Sequence, residues 1–170
     1  MFSTGRLDVR GVVEADIDGL LDVYLSNPRL IAITEGSAGA PGRYDRGMLE
    51  RDVWMSELDE NRHTAGLFPR DGGAPVGVMD WVDRDAEGIP SIGLVLVHAE
   101  HQRRGYGREA VLGLIAAGRE SGWTRMRASA LADDPATTGL YEAVGMRAID
   151  RREVAFAAGG RSVVVFELEL

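Results

Sequence analysis

Ile92-Gly93-Leu94-Val95-Leu96-Val97 is followed, after four intervening residues, by Gln102-Arg103-Arg104-Gly105-Tyr106-Gly107. The first stretch reads as a strand and the residues after the second, 109–119, as a helix. A glycine-rich, doubly basic turn between a strand and a helix is a phosphate cradle. Gly105 and Gly107 lack a Cβ, so the chain can bend sharply and approach a ligand closely. The first N–H groups of the helix have no partner inside it, and the positive end of its dipole favours an anion. Arg103 and Arg104 add charge and donors. These residues predict a bound phosphate, most simply a pyrophosphate.

The rest of the chain narrows the class. Its 170 residues, nearly half of them apolar, predict one domain over 1–170 with a real core. No cysteine is present, which removes disulfides, thiolate metal sites and a cysteine nucleophile. His63, His98 and His101 show no metal-ligand spacing, so no metal is expected. No apolar run reaches the roughly 20 residues that span a bilayer. Residues 1–6 lack an apolar signal core, so a cytoplasmic protein with no membrane partner is the expectation. The net charge is −8 and every basic residue is arginine. That balance argues against a nucleic-acid partner, whose affinity rests on cationic contacts with phosphates. It suits solubility first, and a cationic small substrate second.

Working outward from the turn, period-two patterning predicts a strand over 6–13, with Leu7, Val9, Gly11 and Val13 on one face. A helix over 16–26 follows, stopped at Asn27-Pro28, and 27–46 reads as loop, with Gly36, Gly39, Pro41 and Gly42. A helix over 46–60 turns Met48, Leu49, Val53 and Leu58 inward. Strands over 63–68 and 74–82 flank Asp71-Gly72-Gly73, a hairpin signal, and a third covers 89–97. A helix over 107–122, a strand over 123–131, a short helix over 135–144 capped by Asp134, and strands over 146–156 and 162–168 complete the chain. The meander in the middle opposes a purely parallel sheet, so a mixed α/β sheet with helices on both faces is predicted.

That order, the phosphate turn and the segment Ala136-Thr137-Thr138-Gly139-Leu140-Tyr141-Glu142-Ala143-Val144-Gly145-Met146 together resemble the GNAT acetyltransferase superfamily over essentially the whole chain. Gln102 to Gly107 matches the family's (Gln/Arg)-x-x-Gly-x-(Gly/Ala), and 136–146 is similar to its Ala-x-x-Leu-Tyr-x-x-x-Gly-Phe segment. The resemblance implies a mostly antiparallel, twisted sheet of about seven strands, splayed between the fourth and fifth. It implies that the pantetheine arm of acetyl-CoA lies in that gap, against the backbone of Val95, Leu96 and Val97. Gln102, Arg103, Arg104, Gly105, Tyr106, Gly107 and Arg108 would surround the pyrophosphate.

The implied reaction is direct attack of an amine on the acetyl thioester in a ternary complex, the acceptor being a small-molecule or peptide amine. An alkyl ammonium must first lose its proton. Tyr141 stands at the family's usual acid position and would protonate the departing thiolate. Asp134 replaces an asparagine that contacts the cofactor in many members, and as a helix cap it has an equally good reading. No base is obvious: Asp80 and Glu35 are the leading candidates, each with a solvated-surface alternative, and His98 faces solvent. Tyr44, Trp54 and Trp81 are candidates for the acceptor pocket, Trp54 having core packing as its simpler role. A homodimer is common in the family, but no residue here specifies one. Two other classes compete. One is a GNAT-fold acyl-CoA sensor without catalysis. The other is a dinucleotide-binding module, since Gly105 to Ala110 also satisfies Gly-x-Gly-x-x-Ala, though with no acid about 20 residues on.

Overall fold

A computed structural model describes residues 1–36 and 43–170. In chain order the elements are β1 (Phe2–Ser3), β2 (Leu7–Gly11), α1 (Ile17–Leu25), α2 (Pro28–Thr34), α3 (Arg46–Glu57), β3 (Arg62–Pro69), β4 (Gly77–Val82), β5 (Ser91–Val97), α4 (Tyr106–Glu120), β6 (Arg125–Leu131), α5 (Pro135–Ala143), β7 (Arg147–Phe156) and β8 (Gly159–Glu169). The eight strands form one sheet in the order β1-β2-β3-β4-β5-β6-β8-β7. Every neighbouring pair is antiparallel except β5 and β6.

Helices cover both faces, as their stripes require. Helix α4 buries Ala110, Val111, Leu114 and Ile115 with Tyr141, Phe166 and one side of the central strands. Each large side chain so buried contributes about 1.5–3 kcal/mol relative to exposure. Helices α1, α2 and α3 supply Ile17, Leu20, Val23, Ile31, Leu49 and Val53 to a second core, closed by Val78 and Leu96 of the sheet.

Three expectations are corrected, and the expected sheet of about seven strands carries one more, β1, whose two residues are too short to show alternation. Helix α2 occupies part of the expected loop: Pro28 presets the first turn and Ile31 and Ile33 are buried. Seven residues are too few for a helical period to register, and Gly39, Pro41 and Gly42 lie outside the described residues. Strand β2 stops at Gly11, so Val13 is exposed while Val12 enters the second core. Helix α3 ends at Glu57, leaving Leu58 77% exposed rather than inward.

The feature that positions the site is a fork. Strands β5 and β6 share only the rungs Ser91↔Arg127 and Ile92↔Ala128, with Arg127 N donating to Pro90 O at 2.8 Å. The β4–β5 register then shifts between Asp80 and Trp81, leaving Gly93 as the extra residue of a bulge. A bulge bends its strand and raises the local twist, so β5 leaves β6 there. Beyond it the Leu96 carbonyl lies against Gly77 of β4. Successive residues of a strand aim their backbone groups to opposite sides, so Val95 and Val97 face the open side. The expectation for Leu96 is narrowed accordingly: its backbone serves β4 and its side chain the second core.

Candidate functional site

The turn after β5 is built as its glycines suggested. Arg103 (φ 61°) and Gly105 (φ 86°) both take left-handed conformations, and Gly105 is the N-cap of α4. For arginine that region is uncommon and costs of order 1 kcal/mol. The first helical bond outside the cap is Glu109 N to Gly105 O at 2.9 Å. The N–H groups of Tyr106, Gly107 and Arg108 therefore open the helix without an intrahelical acceptor. Arg103, Arg104 and Arg108 are exposed and make no ion pair among the described residues. Arg6, which the sequence did not single out, braces the turn. Its guanidinium pairs with Glu109 at 2.6 Å, donates to Arg104 O at 3.1 Å and lies 4.6 Å from the centre of the Tyr106 ring.

Gln102 does not point into the turn. Its Nε2 donates to Val97 O at 3.0 Å and to Asn27 Oδ1 at 2.9 Å, and Asn27 Nδ2 reaches the same Val97 carbonyl at 3.2 Å. The strand end is thereby tied to the α1–α2 junction. Val97 keeps its N–H for the gap while its carbonyl is occupied.

Helix α5 closes the far side. A methyl group on Gly107 would stand 3.6–3.7 Å from Leu140, Val97 and Val95, so the start of α4, the end of β5 and α5 meet at one place. Tyr141, the next residue, is 1% exposed, with its ring 5.5 Å from that of Phe166. Burial, then the charge of Asp134, pushes its phenol well above the ordinary tyrosine range, and its hydroxyl bonds no described residue. Asp134 is a helix cap: it accepts from Ala136 N, Thr137 N and Thr137 Oγ1 at 3.1, 3.3 and 2.7 Å.

Across the fork, Asp80 of β4 stands at the bulge. Its Oδ1 lies 3.6 Å from where a Gly93 side chain would begin. Its Oδ2 accepts from Arg62 Nε (3.0 Å), Arg62 Nη2 (2.6 Å) and Thr64 Oγ1 (3.3 Å). One carboxylate oxygen is thus anchored and the other stands beside Gly93 at the bulge. Thr64 is opposite Asp80 in the ladder and is held in turn by Ser56 at 3.0 Å. Tyr24, which packs on the second core as Val78 and Leu96 do, feels the charge of Asp80. The rings of Tyr24 and Tyr44 stack at 5.8 Å, and Tyr44 Oη donates to Asp52 at 3.4 Å. Burial pushes both phenols and the Asp52 carboxyl up. Asp80, Asp52 and Glu35 reinforce the Tyr24 shift by their charge.

Of the other expected residues, Tyr44 lines this region, and Trp81 is buried against His63 at 5.0 Å. Trp54 is 37% exposed and packs in neither core, because it lies on the outer side of α3. His98 caps the turn before Gln102, its Nδ1 accepting from Glu100 N at 3.2 Å. Arg62 and Asp52 escaped the sequence reading. A diagonal cross-strand pair and a helix residue facing another segment leave no local pattern.

A family model described as acetyltransferase (GNAT) domain matches residues 6–147. Among solved structures, an acetyltransferase from Thermus thermophilus has a TM-score of 0.77 at 26% identity, over 100% of each chain. The GNAT-family acetyltransferase from Bacillus anthracis has a TM-score of 0.81 at 14% identity, over 99% of this chain and 97% of its own. The microcin C7 self-immunity acetyltransferase MccE, solved in complex with acetyl-CoA and AMP, has a TM-score of 0.81 at 13% identity, over 98% and 93%. The last two support the fold alone. No curated protein matches the sequence.

Proposed function

The chain belongs to the GNAT acetyltransferase family, and from that premise we propose that it transfers an acetyl group from acetyl-CoA to a primary amine by direct attack. The observation that carries this reading is the fork: the open backbone of Val95 and Val97 beside a turn built for an anion. A pantetheine amide chain satisfies such groups as an added strand would. The N–H groups that open α4, with Arg103, Arg104 and Arg108, hold the pyrophosphate. The acetyl carbon then falls toward the bulge, between Asp80 and α5.

The incoming ammonium gives its proton to Asp80 Oδ1, directly or through one water, and the freed nitrogen attacks the carbonyl carbon. A β5 N–H facing the gap stabilises the developing oxyanion. As the C–S bond breaks, the attached nitrogen loses its second proton to solvent, Tyr141 passes its proton to sulfur and recovers one from solvent, and Asp80 releases its own, so that amide, CoA thiol and one net proton result. Burial that holds the phenol protonated also disfavours a bare thiolate, so the proton moves between two poorly solvated groups.

The test is thiol release from acetyl-CoA against a panel of amines, read with a thiol-reactive dye beside calorimetric binding of acetyl-CoA. The protein adds no thiol background, having no cysteine. Release with one amine class supports the reading. Binding without release across amines and peptide N-termini would leave an acyl-CoA sensor, and no binding would remove the reading altogether.

A further inference from the structure

We infer that Gly93 and Ser129 complete, with Asp80, the seat of the acceptor nitrogen: Gly93 is its floor and Ser129 its wall on the β6 side. The inference rests on the acyl-transfer reading and adds the residues that hold the amine. Its support is a row of three residues across the sheet at the crotch of the fork. Strands β5 and β6 pair last at Ile92↔Ala128, so Gly93 and Ser129 are the first residues past that rung and stand level with each other. On the other side, Asp80 Oδ1 lies 3.6 Å from where a Gly93 side chain would begin. Apart from Asp80 and the chain neighbours, no described residue comes within 4 Å of that point.

The three residues share one face of the sheet. Side chains alternate along a strand. Ala128 and Ala130 enter the core beneath α4, so Ser129 faces the other way. Met79 and Trp81 enter it too, so Asp80 faces as Ser129 does, on the side of Val78 and the second core. There the sheet is bare: Gly93 and Ser129 are exposed, while Ile92, Ala128 and Ala130 beside them are buried. Gly93 has no left-handed φ, so the bulge does not demand glycine. What glycine supplies is room, as where a ligand approaches a strand closely. Ser129 brings polar groups to that room. Arg127 N donates to Pro90 O, and this parallel register gives the Ser129 N–H to Ile92. The Ser129 carbonyl is then the first β6 group left open, and its hydroxyl bonds no described residue. Both accept hydrogen bonds, as an ammonium requires. The neighbouring cations are committed. Arg62 is spent on Asp80 Oδ2, and Arg127, on the same face, is held by Glu87, Asp85 and Glu167. An amine nitrogen between Asp80 Oδ1 and Ser129, with hydrogen bonds of about 2.9 Å to each, bridges the row.

The probe is ethylamine, which occupies little beyond the nitrogen seat. It is assayed by thiol release from acetyl-CoA, and acetyl-CoA affinity and Tm are measured on every variant. Gly93→Ala places a methyl group on the floor, in ordinary contact with Asp80. It is expected to lower kcat/KM for ethylamine at least tenfold while acetyl-CoA affinity holds and Tm stays or rises, since alanine restricts the unfolded chain. Ser129→Ala is expected to raise KM for ethylamine about tenfold with a smaller change in kcat, and Ser129→Thr, which keeps the hydroxyl, to restore most of it. Full activity in Gly93→Ala, an unchanged KM in Ser129→Ala, or activity lost only in step with acetyl-CoA affinity or Tm would overturn the inference. So would a parent that acetylates larger amines and not ethylamine. A parent that fails to bind acetyl-CoA, or releases no thiol with any amine, would instead remove the acyl-transfer reading, and this inference with it.

Discussion

Single residues carry the chemistry, and their surroundings set what each can do. Tyr141 and Asp134 are seven residues apart and have opposite fates. Asp134 spends its carboxylate on three donors of its own helix, so it serves α5 as a cap. The Tyr141 hydroxyl has no described partner, which frees it for a ligand. Tyr141→Phe should slow thiol release about 100-fold, within the range for loss of a proton-transfer group, while acetyl-CoA affinity holds. Its melting temperature should change little, since no described hydrogen bond is lost. A stability loss equal to the activity loss would mark the residue as core packing only. Tyr141 was legible through its motif. Asp80 was legible only as one candidate among several, because its anchoring by Arg62 and Thr64 depends on a register between two strands.

At the scale of elements, the decisive objects are a bulge and a turn. Gly93 releases β5 from β6, and the left-handed pair Arg103 and Gly105 swings the chain into α4 so that its first N–H groups face outward. At Gly105 a side chain would be strained by φ 86° and would meet Arg6 Nη2 at 3.3 Å. Gly105→Ala should therefore cost about 1 kcal/mol of stability. It should also weaken acetyl-CoA binding about tenfold by misaligning the N–H groups, as calorimetry would register. An unchanged affinity would place the pyrophosphate elsewhere. The turn was readable in the sequence because glycine and arginine spacing is local. Helix α2 was not, because Ile31 and Ile33 owe their helical state to the core they enter.

For the whole molecule, the closed end of the fork depends on one side chain. Arg127 is 10% exposed and joins Glu167 of β8 at 2.8 Å, Glu87 at 2.8 Å and Asp85 at 3.5 Å, while Arg152 of β7 meets Glu87 at 3.4 Å. Arg127→Met leaves Glu167 and Asp85 without a guanidinium and Glu87 with Arg152 alone. It should lower Tm by about 6–12 °C, from a loss of about 3 kcal/mol at about 2–4 °C per kcal/mol for a chain of this size. Hydrogen bonding to Arg127 holds Glu87 below the usual carboxylate range. A depressed folded-state pKa adds stability above the unfolded value, near 4.3, that is lost as pH falls through the folded one. Melting between pH 6 and 3 should show that acid-side loss in the parent and a flatter slope in Arg127→Met; parallel slopes would exclude the network as the cause. By itself the sequence determined most of the order of elements, the glycine–arginine turn between β5 and α4 and the family, since these are written in residues close together along the chain. The tertiary structure alone decided the width of the fork, which backbone groups of β5 stay open, the Arg127 clamp and the anchoring of Asp80 by Arg62 and Thr64. Those depend on register, strand twist and the packing of distant segments, and no local spacing encodes them.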